Sequence, residues 1–368
     1  MLRITREAPS TPSLRARGPC VSVRLNIYGF HAALRGWPEV VEQVRRDFAW
    51  FESPERDLSE QPVEAVIVAE KGDPDYSRFG PLPASFVTPR NVVYQHGQST
   101  VIDYFGEAIS VFDRRARRLV VRGRNVDLVH EAIYHFVLSQ ASAALEARGL
   151  VRLHSLALVG KDGAVAIMLP SGGGKSTLAL RGLQDKGVRL LSEDSPLMDR
   201  RGRLYPFPLR IAVNVGDAES LPAGQTRLLQ RMEFHPKLAL DVEAFAHRVA
   251  EGSVQASHLV IGRRTLGTEA TIERVARREA LGALLREAVV GVGLYQGMEF
   301  VLQHGPRDVF GQVRPGAIRA ACCAGLLRRV AVWRLTLARD PGRNWRALQP
   351  LLGTDPEERP PPDGRLWR

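Results

Sequence analysis

Apolar positions in the first third of the chain follow both strand and helix spacing. Short apolar runs typical of strands surround one stretch, 37–51, in which apolar residues recur every three or four positions, as on one face of a helix. A Pro- and Gly-rich segment over 72–89 separates the later strand-like runs. The pattern predicts a small N-terminal α+β domain over residues 23–112, with the apolar helix face packed against the strands.

A second region with alternating helix and strand patterns follows. Its strongest helix signal covers Val126–Ala147, which Asn125 or Asp127 can cap at the start and Gly149 can end. Two strand-like runs and a polar turn then predict a hairpin over 151–169. Further predicted elements are a helix over 178–184, a strand over 188–191, strands over 259–261 and 331–337, and a helix over 276–289. Together they predict an α/β domain over residues 113–345.

Both ends of the chain are predicted to lie outside these domains. Residues 1–22 are rich in Arg and Ser and lack the apolar core of a secretory signal, so we interpret them as a solvated tail, with an organelle transit peptide as the alternative. The last 15 residues contain four prolines and several charges, which disfavour packing, and a second tail is predicted over residues 346–368.

The composition agrees with a folded chain that is long enough for two domains. Of the 368 residues, 44% are hydrophobic and 25% are charged, which excludes a disordered or collagen-like protein. Apolar runs such as 164–170 are far shorter than the roughly 20 residues that cross a bilayer, so no membrane span is predicted. Three cysteines are too few for a disulfide framework, which favours the reducing cytoplasm.

The net charge of +11 raises the question of a polyanionic partner. Five of the 51 basic residues are Lys and 46 are Arg, and they are scattered among Asp and Glu through every segment. A nucleic-acid-binding domain usually concentrates such residues on one face or along one helix. The charge therefore indicates a compositional bias of the whole chain, and no nucleic-acid partner is predicted.

The sharpest motif is a glycine-rich loop, PSGGGKST, between the predicted strand that ends the hairpin and the predicted helix 178–184. Successive backbone amides can surround phosphate oxygens only in conformations that side chains obstruct, and a following helix adds the positive end of its dipole. Lys175 would then contact the β- and γ-phosphates of a nucleotide, and Ser176 would bind Mg²⁺.

The usual motif begins with Gly where this chain has Leu169. The alternative is a plain Gly-rich turn before a helix. The predicted phosphate-binding residues are Ser171, Gly172, Gly173, Gly174, Lys175, Ser176 and Thr177.

Two acidic residues follow the next predicted strand, 188–191. In a parallel α/β sheet the carboxyl ends of neighbouring strands open onto the same crevice, so Glu193 and Asp194 are predicted to face the glycine-rich loop. A carboxylate there can hold Mg²⁺ or accept a proton from an attacking hydroxyl, and we assign the second role to Asp194. A turn or a helix cap is the alternative for an acidic pair at a strand end.

A histidine and several cationic residues complete the candidate set. His154 lies on the predicted strand that precedes the loop strand, where a lone histidine is usually a packed core or edge residue and a catalytic role is the alternative. A cation should also approach the γ-phosphate as negative charge develops there. The candidates are Arg210, Lys237, Arg263 and Arg264, of which Arg210 and Arg264 are retained.

Three segments, RLHSLALV, PSGGGKSTLAL and RLLSEDSPLMD, resemble in this order the catalytic domain of HPr serine kinase/phosphorylase and of HPr-kinase-related proteins. The later run GRLYPFPLR also looks like the related proteins, and the match covers about residues 125–215. The resemblance implies an α/β P-loop kinase domain akin to phosphoenolpyruvate carboxykinases, which transfers a γ-phosphoryl group to serine. It makes His154 the active-site histidine, Lys175 and Ser176 the phosphate and Mg²⁺ ligands, and Asp194 the catalytic acid/base.

Three differences from this family narrow the expected activity. The family has an Asp-Asp pair where this chain has Glu193 and Asp194, and Ser155 stands where a Gly usually follows the histidine. The downstream Glu-Ile-Arg-Gly-type signature that accompanies phosphorolysis is not found in the sequence. Phosphorolysis is therefore unsupported by the sequence, and whether it occurs stays open. Ribosomal peptides such as lasso-peptide precursors, which related kinases phosphorylate, fit as acceptors at least as well as HPr.

The sequence thus predicts a cytoplasmic ATP- and Mg²⁺-dependent kinase that phosphorylates a hydroxyl, in particular a serine, of a peptide or small protein. Its predicted catalytic residues are Asp194, His154 and Glu193, and its predicted metal ligands are Ser176, Glu193 and Asp194. Two alternatives stay open, a small-molecule alcohol or sugar kinase and a nucleotide-binding switch without turnover. The identity of the acceptor, the choice between ATP and GTP, and whether the chain forms a homo-oligomer also stay open.

Overall fold

The computed structural model of the chain contains two large mixed sheets with helices packed on their faces, which makes it a mixed α/β protein. It describes residues 22–53, 62–169, 172–216, 221, 225–230, 235–289, 300 and 313–354. Within these residues, no helix is both long and apolar enough to cross a membrane.

Eight strands form the first sheet. They are β1 Ser22–Ile27, β2 Phe30–Gly36, β3 Ala65–Lys71, β4 Ala84–Val87, β5 Val92–His96, β6 Ser99–Asp103, β7 Ala108–Asp113 and β8 Arg118–Gly123. Their order in the sheet is β1-β2-β3-β8-β7-β6-β5-β4, and β3 is parallel to both of its neighbours while the other pairs are antiparallel. The sheet continues past residue 112, where the sequence analysis ends the N-terminal domain.

Two helices cover one face of this sheet. Helix α1 (Pro38–Asp47) connects β2 to β3, and helix α2 (Val126–Ala147) follows β8 with the bounds that the sequence predicts. The side chain of Asn125 accepts hydrogen bonds from the backbone N–H groups of Asp127 at 2.9 Å and Leu128 at 3.3 Å, so Asn125 caps α2. The apolar faces of both helices and of the sheet share one core, which includes Val40, Val41, Val44, Phe48, Ile67, Leu119, Ile133 and Phe136.

Twelve further strands follow α2. They are β9 Val151–Arg152, β10 Leu156–Gly160, β11 Gly163–Met168, β12 Arg189–Ser192, β13 Leu197–Met198, β14 Arg203–Tyr205, β15 Ile211–Asn214, β16 Thr226–Leu229, β17 Lys237–Leu240, β18 Val254–Arg264, β19 Thr271–Val275 and β20 Ala331–Leu337. β15, β17 and β16 form a small antiparallel sheet. The other nine form the second large sheet, in the order β12-β10-β11-β18-β14-β13-β9, with β20 paired to both β18 and β19.

Helices cover both faces of the second sheet. They are α3 Lys175–Gln184, α4 Leu281–Leu284, α5 Val313–Leu327 and α6 Pro341–Leu352. Alternate residues of β11 enter two separate cores, because successive side chains of a strand point to opposite faces. Val165 and Ile167 pack with residues of α3 and α6, whereas Ala166 and Met168 pack with residues of α4 and α5.

The order of strands in the second sheet corrects one sequence-based expectation. β12 is not a neighbour of β11 in a parallel sheet, because β10 lies between them and is antiparallel to both. β11 and β12 therefore still run in the same direction. Leu156 at the start of β10 lies opposite Ile167 near the end of β11, and Ala157 lies opposite Ser192 at the end of β12.

Three local predictions differ from the observed elements. The strand predicted over 151–159 is interrupted at residues 153–155, so His154 lies between β9 and β10 and not within a strand. The helix predicted over 276–289 is a 3-10 turn, the four-residue helix α4 and a π-helical turn in succession. The C-terminal tail predicted over 346–368 overlaps α6, which runs to Leu352 and buries Leu348 and Leu352 completely.

Candidate functional site

The glycine-rich loop connects β11 to α3, and the structure describes its part from Gly172 onward. Gly172 and Gly174 have φ angles of +67° and +88°, in the region where residues with a Cβ atom are strained. Gly174 immediately precedes α3, whose first residue is Lys175. The first N–H groups of a helix have no acceptors within the helix and point out of its N-terminal end, so this loop offers donors to an anion. Ser171 lies outside the described residues.

Lys175, His154 and Asp194 lie together beside the loop. The Nζ atom of Lys175 is 2.5 Å from Nε2 of His154 and 3.5 Å from Oδ1 of Asp194. Nδ1 of His154 is 3.4 Å from the same Asp194 oxygen. The three side chains thus form a triangle in which an ammonium group and an imidazole both face one carboxylate.

Sheet topology brings these three residues to one edge. Lys175 follows β11, Asp194 follows β12, and His154 precedes β10, which runs in the opposite direction between them. The start of β10 and the ends of β11 and β12 are therefore at the same edge. The backbone N–H of Ser155 donates a hydrogen bond of 3.0 Å to the carbonyl oxygen of Asp194, which fixes the two connecting segments against each other.

Burial lowers the pKa of His154, and the neighbouring Lys175 lowers it further against the opposing effect of Asp194. A neutral imidazole accepts at one nitrogen and donates at the other. Because Lys175 donates to Nε2, the proton of neutral His154 belongs on Nδ1, which is buried without a hydrogen-bond partner among the described residues. The Nδ1–H group then faces Asp194.

Glu193 forms a second polar contact with α3. The Oγ atom of Ser176 donates a hydrogen bond of 2.5 Å to Oε1 of Glu193. Burial, together with the Asp194 carboxylate next to it, raises the pKa of Glu193 to about 7, although the hydrogen bond from Ser176 opposes this change. A bound divalent cation would favour the ionised form of Glu193.

The oxygen atoms of Ser176, Glu193 and Asp194 suit Mg²⁺, which prefers hard oxygen ligands. In the described part of the chain, no group of three His, Cys, Asp or Glu side chains is arranged to hold a metal by itself. Mg²⁺ at a nucleotide site usually has one or two protein carboxylates as ligands, with water and phosphate oxygens supplying the rest. The hydroxyl of Ser176 and the carboxylate of Glu193 fit a Mg²⁺ site with one protein carboxylate, in which water and phosphate oxygens supply the other ligands.

The loop and the acids line a cleft with a volume of about 540 Å³. Helix α2 supplies part of its wall with His130, Glu131, Tyr134 and His135. Its described lining is rich in positive charge: the cations are Arg90, Arg152, Lys175, Arg210, Lys237, Arg264 and Arg339, and the carboxylates are Glu131, Glu193 and Asp194. Such a cleft favours a ligand with several negative charges.

The cations proposed from sequence occupy different places. Arg264, at the end of β18, brings Nη1 to 3.8 Å from the position that a Cβ atom on Gly172 would take, so it lies beside the loop. Lys237 also lines the cleft, whereas the exposed Arg263 is not among the lining residues. Arg210 lies in the cleft wall with its guanidinium 4.0 Å from the centre of the Tyr134 ring.

Asp47, a residue that the sequence analysis does not single out, holds Arg210 in place. It is completely buried at the end of α1 and forms ion pairs with Arg210 and Arg227. Asp47 also contacts His130, whose Nε2 lies 2.7 Å from Oδ2 of Asp47. The sequence signal for this role is an acid three positions after Val44, on the helix face that is otherwise apolar.

Arg152 and Tyr134 are also parts of the cleft that the sequence analysis does not assign. Arg152 precedes His154 by two residues, and its Nη2 donates a hydrogen bond of 2.9 Å to Oγ of Ser195. The cleft therefore contains a cation, Arg152, that no sequence motif predicts.

Comparison with known proteins gives no family assignment for the chain. No protein-family model matches the sequence, and no curated protein is significantly similar to it. The resemblance to HPr-kinase-related proteins therefore stays a prediction that depends on three short segments, and the geometry of the site has to carry any functional conclusion.

Proposed function

We propose that this protein is an ATP- and Mg²⁺-dependent kinase that transfers a γ-phosphoryl group to a hydroxyl, with a serine of a peptide or small protein as the acceptor. The observation that carries the proposal is the 3.5 Å distance between Nζ of Lys175, at the start of the helix after the glycine-rich loop, and Oδ1 of Asp194. A phosphate-binding cation and a proton-accepting carboxylate are the two groups that phosphoryl transfer most requires from a protein. The HPr-kinase-like fold is part of this proposal.

Each residue of the cluster has a distinct task in the proposed reaction. Lys175 and the backbone amides at the start of α3 bind the nucleotide phosphates and offset their negative charge. Ser176 and Glu193 would hold Mg²⁺, which would supply additional positive charge at the phosphate oxygens. Neutral His154 orients Lys175 through Nε2 and faces Asp194 with Nδ1.

The bond changes of the transfer balance without a further reactant. The acceptor oxygen forms a bond to the γ-phosphorus while the bond from that phosphorus to the β,γ-bridging oxygen breaks, and ADP leaves with the bonding electron pair. The proton of the acceptor hydroxyl passes to the carboxylate of Asp194. The ammonium group of Lys175 lies 3.5 Å from an oxygen of the same carboxylate.

The direct test combines nucleotide binding with single-turnover transfer in Lys175→Ala and Asp194→Asn. Lys175→Ala is expected to weaken ATP binding, and Asp194→Asn to keep it while losing transfer. The exposed residues Lys186 and Asp162 provide matched controls as Lys186→Ala and Asp162→Asn. Unchanged transfer in both cluster variants would remove the proposal.

The acceptor class is tested by offering the wild-type protein serine-containing peptides and hydroxylated metabolites in parallel. Transfer to peptides supports the proposed acceptor, and transfer only to metabolites identifies a small-molecule alcohol or sugar kinase. Tight ATP binding with neither transfer nor hydrolysis above background identifies a nucleotide-binding switch.

A further inference from the structure

Arg152 is a cleft residue whose hydrogen-bond partners, within the described part of the chain, are two uncharged serines. Its Nη2 donates to Oγ of Ser195 at 2.9 Å and its Nη1 donates to Oγ of Ser142 at 3.3 Å. Its Nε is buried and has no hydrogen-bond partner among the described residues, and the guanidinium lies 5.7 Å from the centre of the Phe207 ring. A guanidinium that is largely enclosed by protein is costly to keep without an anion.

The acidic groups around Arg152 are already engaged with other cations. Glu146 binds the guanidinium of Arg319 through both carboxylate oxygens, at 2.7 and 3.1 Å. Asp194 faces Lys175 and His154 at 3.5 and 3.4 Å. None of the ion pairs in the described part of the chain includes Arg152.

The tyrosine beside Arg152 does not provide the missing negative charge. Burial raises the pKa of Tyr134 far above its ordinary value, so its hydroxyl group stays protonated and neutral. Within the described residues the positive charge of Arg152 is therefore left without a direct partner, and this half-buried residue lines the cleft.

Arg152 and the glycine-rich loop come from different parts of the second sheet. Arg152 ends β9, the last strand of the order β12-β10-β11-β18-β14-β13-β9, whereas the loop follows β11. The Ser195 that binds Arg152 directly follows Asp194 in the sequence, and Lys175 faces the same aspartate from the end of the loop. Lys175 thus contacts Asp194, and Arg152 contacts the next residue, Ser195, from a separate element that the nucleotide site does not use.

We infer that the acceptor carries an oxyanion, a carboxylate or a phosphate, close to its reacting hydroxyl, and that Arg152 binds this group. The inference deepens the proposed function and depends on it. A planar guanidinium binds either oxyanion through two parallel hydrogen bonds, and each terminal nitrogen of Arg152 keeps a second N–H beyond the one that it donates to a serine. Binding there would place the attached hydroxyl next to Asp194. The oxyanion takes no part in the bond changes of the transfer.

A structural role is the competing explanation for Arg152, because its two serine partners tie α2 to the segment after Asp194. The two explanations differ in what they predict for small anions. A structural arginine binds no anion from solution when the nucleotide site is filled, whereas an acceptor-binding arginine does.

The first experiment titrates sodium acetate and inorganic phosphate, separately, into protein saturated with Mg²⁺ and a non-hydrolysable ATP analogue. Wild type is expected to bind at least one of the two anions, and the stronger of them identifies a carboxylate or a phosphate as the acceptor group. Arg152→Gln, whose amide can still donate to the serines, is expected to lower that affinity at least tenfold. The exposed Arg115 provides the control variant Arg115→Gln, with wild-type affinity.

Three results would overturn the inference: no anion binding by nucleotide-loaded wild type, equal anion affinity in Arg152→Gln, or a loss of nucleotide affinity in Arg152→Gln that matches the loss of anion affinity. If Arg152→Gln does not fold, Arg152→Lys replaces it, because a lysine keeps the charge and loses the planar edge. The anion affinity of Arg152→Lys must then be several-fold lower than that of wild type.

A second experiment compares transfer from Mg²⁺-ATP to N-acetyl-L-serine and to the uncharged N-acetyl-L-serinamide, and likewise to glycerol 3-phosphate and glycerol. Wild type is expected to prefer the charged member of one pair through a lower KM, and Arg152→Gln to lose that preference with kcat less affected. A wild type that uses both members of each pair equally well contradicts the inference alone. A wild type that binds no Mg²⁺-ATP contradicts the proposed function instead.

Discussion

Asp47 and Arg210 form a buried ion pair that joins the first helix of the chain to the wall of the candidate site. They are separated by 163 positions in the sequence, and Asp47 is completely shielded from solvent. Arg227 pairs with the same carboxylate and also with Asp241. The N-terminal sheet and its helices are therefore part of the structure that shapes the cleft, and not a separate appendage.

Asp47→Asn is expected to destabilise the protein strongly. The amide keeps the size of the side chain but removes the buried charge that pairs with Arg210 and Arg227, while Arg227 keeps its second ion pair with Asp241. Breaking a buried ion pair costs about 3–5 kcal/mol. Urea denaturation followed by circular dichroism measures the change in free energy of unfolding. Asp162→Asn, at an exposed turn, should change it by less than about 0.5 kcal/mol. Equal effects of the two substitutions would contradict the structural role of Asp47.

His130 makes the stability depend on pH. Burial lowers the pKa of His130 from 6.5 to about 3, with a further contribution from Arg227, while its Nε2–H donates to Asp47. In the unfolded chain His130 gains a proton near pH 6.5, and in the folded protein it does so only near pH 3. The free energy of unfolding is therefore expected to be highest above pH 6.5 and to fall as the pH drops towards 3.

Thermal melting between pH 4 and pH 7 tests this dependence by comparing wild type with His130→Gln, which removes the titrating group. The variant should have a lower Tm at pH 7 and a smaller loss of Tm on acidification. His96→Gln, at an exposed position, should retain the wild-type dependence. A His130→Gln curve parallel to that of wild type would show that other groups control the acid sensitivity.

Local features of the fold were predictable because they depend on residues that are close together in the sequence. The bounds of α2 follow from apolar spacing, the cap at Asn125 and the Gly that ends the helix, all within a few positions of each other. The glycine-rich loop was predictable for the same reason, since β11, the loop and α3 are consecutive in the sequence. The proximity of Lys175 to Asp194 followed from the expected direction of their strands.

The order of strands and the pairing of distant charges were not predictable in this way. The position of the antiparallel β10 between β11 and β12 depends on which apolar faces pack together across the whole sheet. No local sequence pattern indicates this position. The contacts of Asp47 with Arg210 and Arg227 depend on the packing of elements that are far apart in the sequence. Arg152 looked like one of many scattered arginines, because its lack of an acidic partner is a property of its surroundings.

Gly174→Ala tests whether the left-handed loop conformation is required. Gly174 has a φ angle of +88°, and no atom of the described residues lies within 4 Å of the position where a Cβ atom would be, so the expected cost comes from the backbone and is about 1–2 kcal/mol. Urea denaturation measures this cost, and the relaxed loop should also bind ATP more weakly. Gly282→Ala is a matched control in a helix, with equally open space and no positive φ, and should be neutral or slightly stabilising. Equal stabilities of the two variants would contradict the loop geometry.

The contact between Ser176 and Glu193 leads to a prediction about metal dependence. If these oxygens hold Mg²⁺, EDTA should abolish phosphoryl transfer by wild type, and Ser176→Ala or Glu193→Gln should raise the Mg²⁺ concentration at half-maximal rate by about tenfold or more. Single-turnover transfer at a series of Mg²⁺ concentrations measures this value. Glu39→Gln removes an exposed carboxylate from α1 and should leave the requirement unchanged. A wild-type Mg²⁺ requirement in both site variants would place the metal on other ligands and leave the 2.5 Å hydrogen bond with a structural role only.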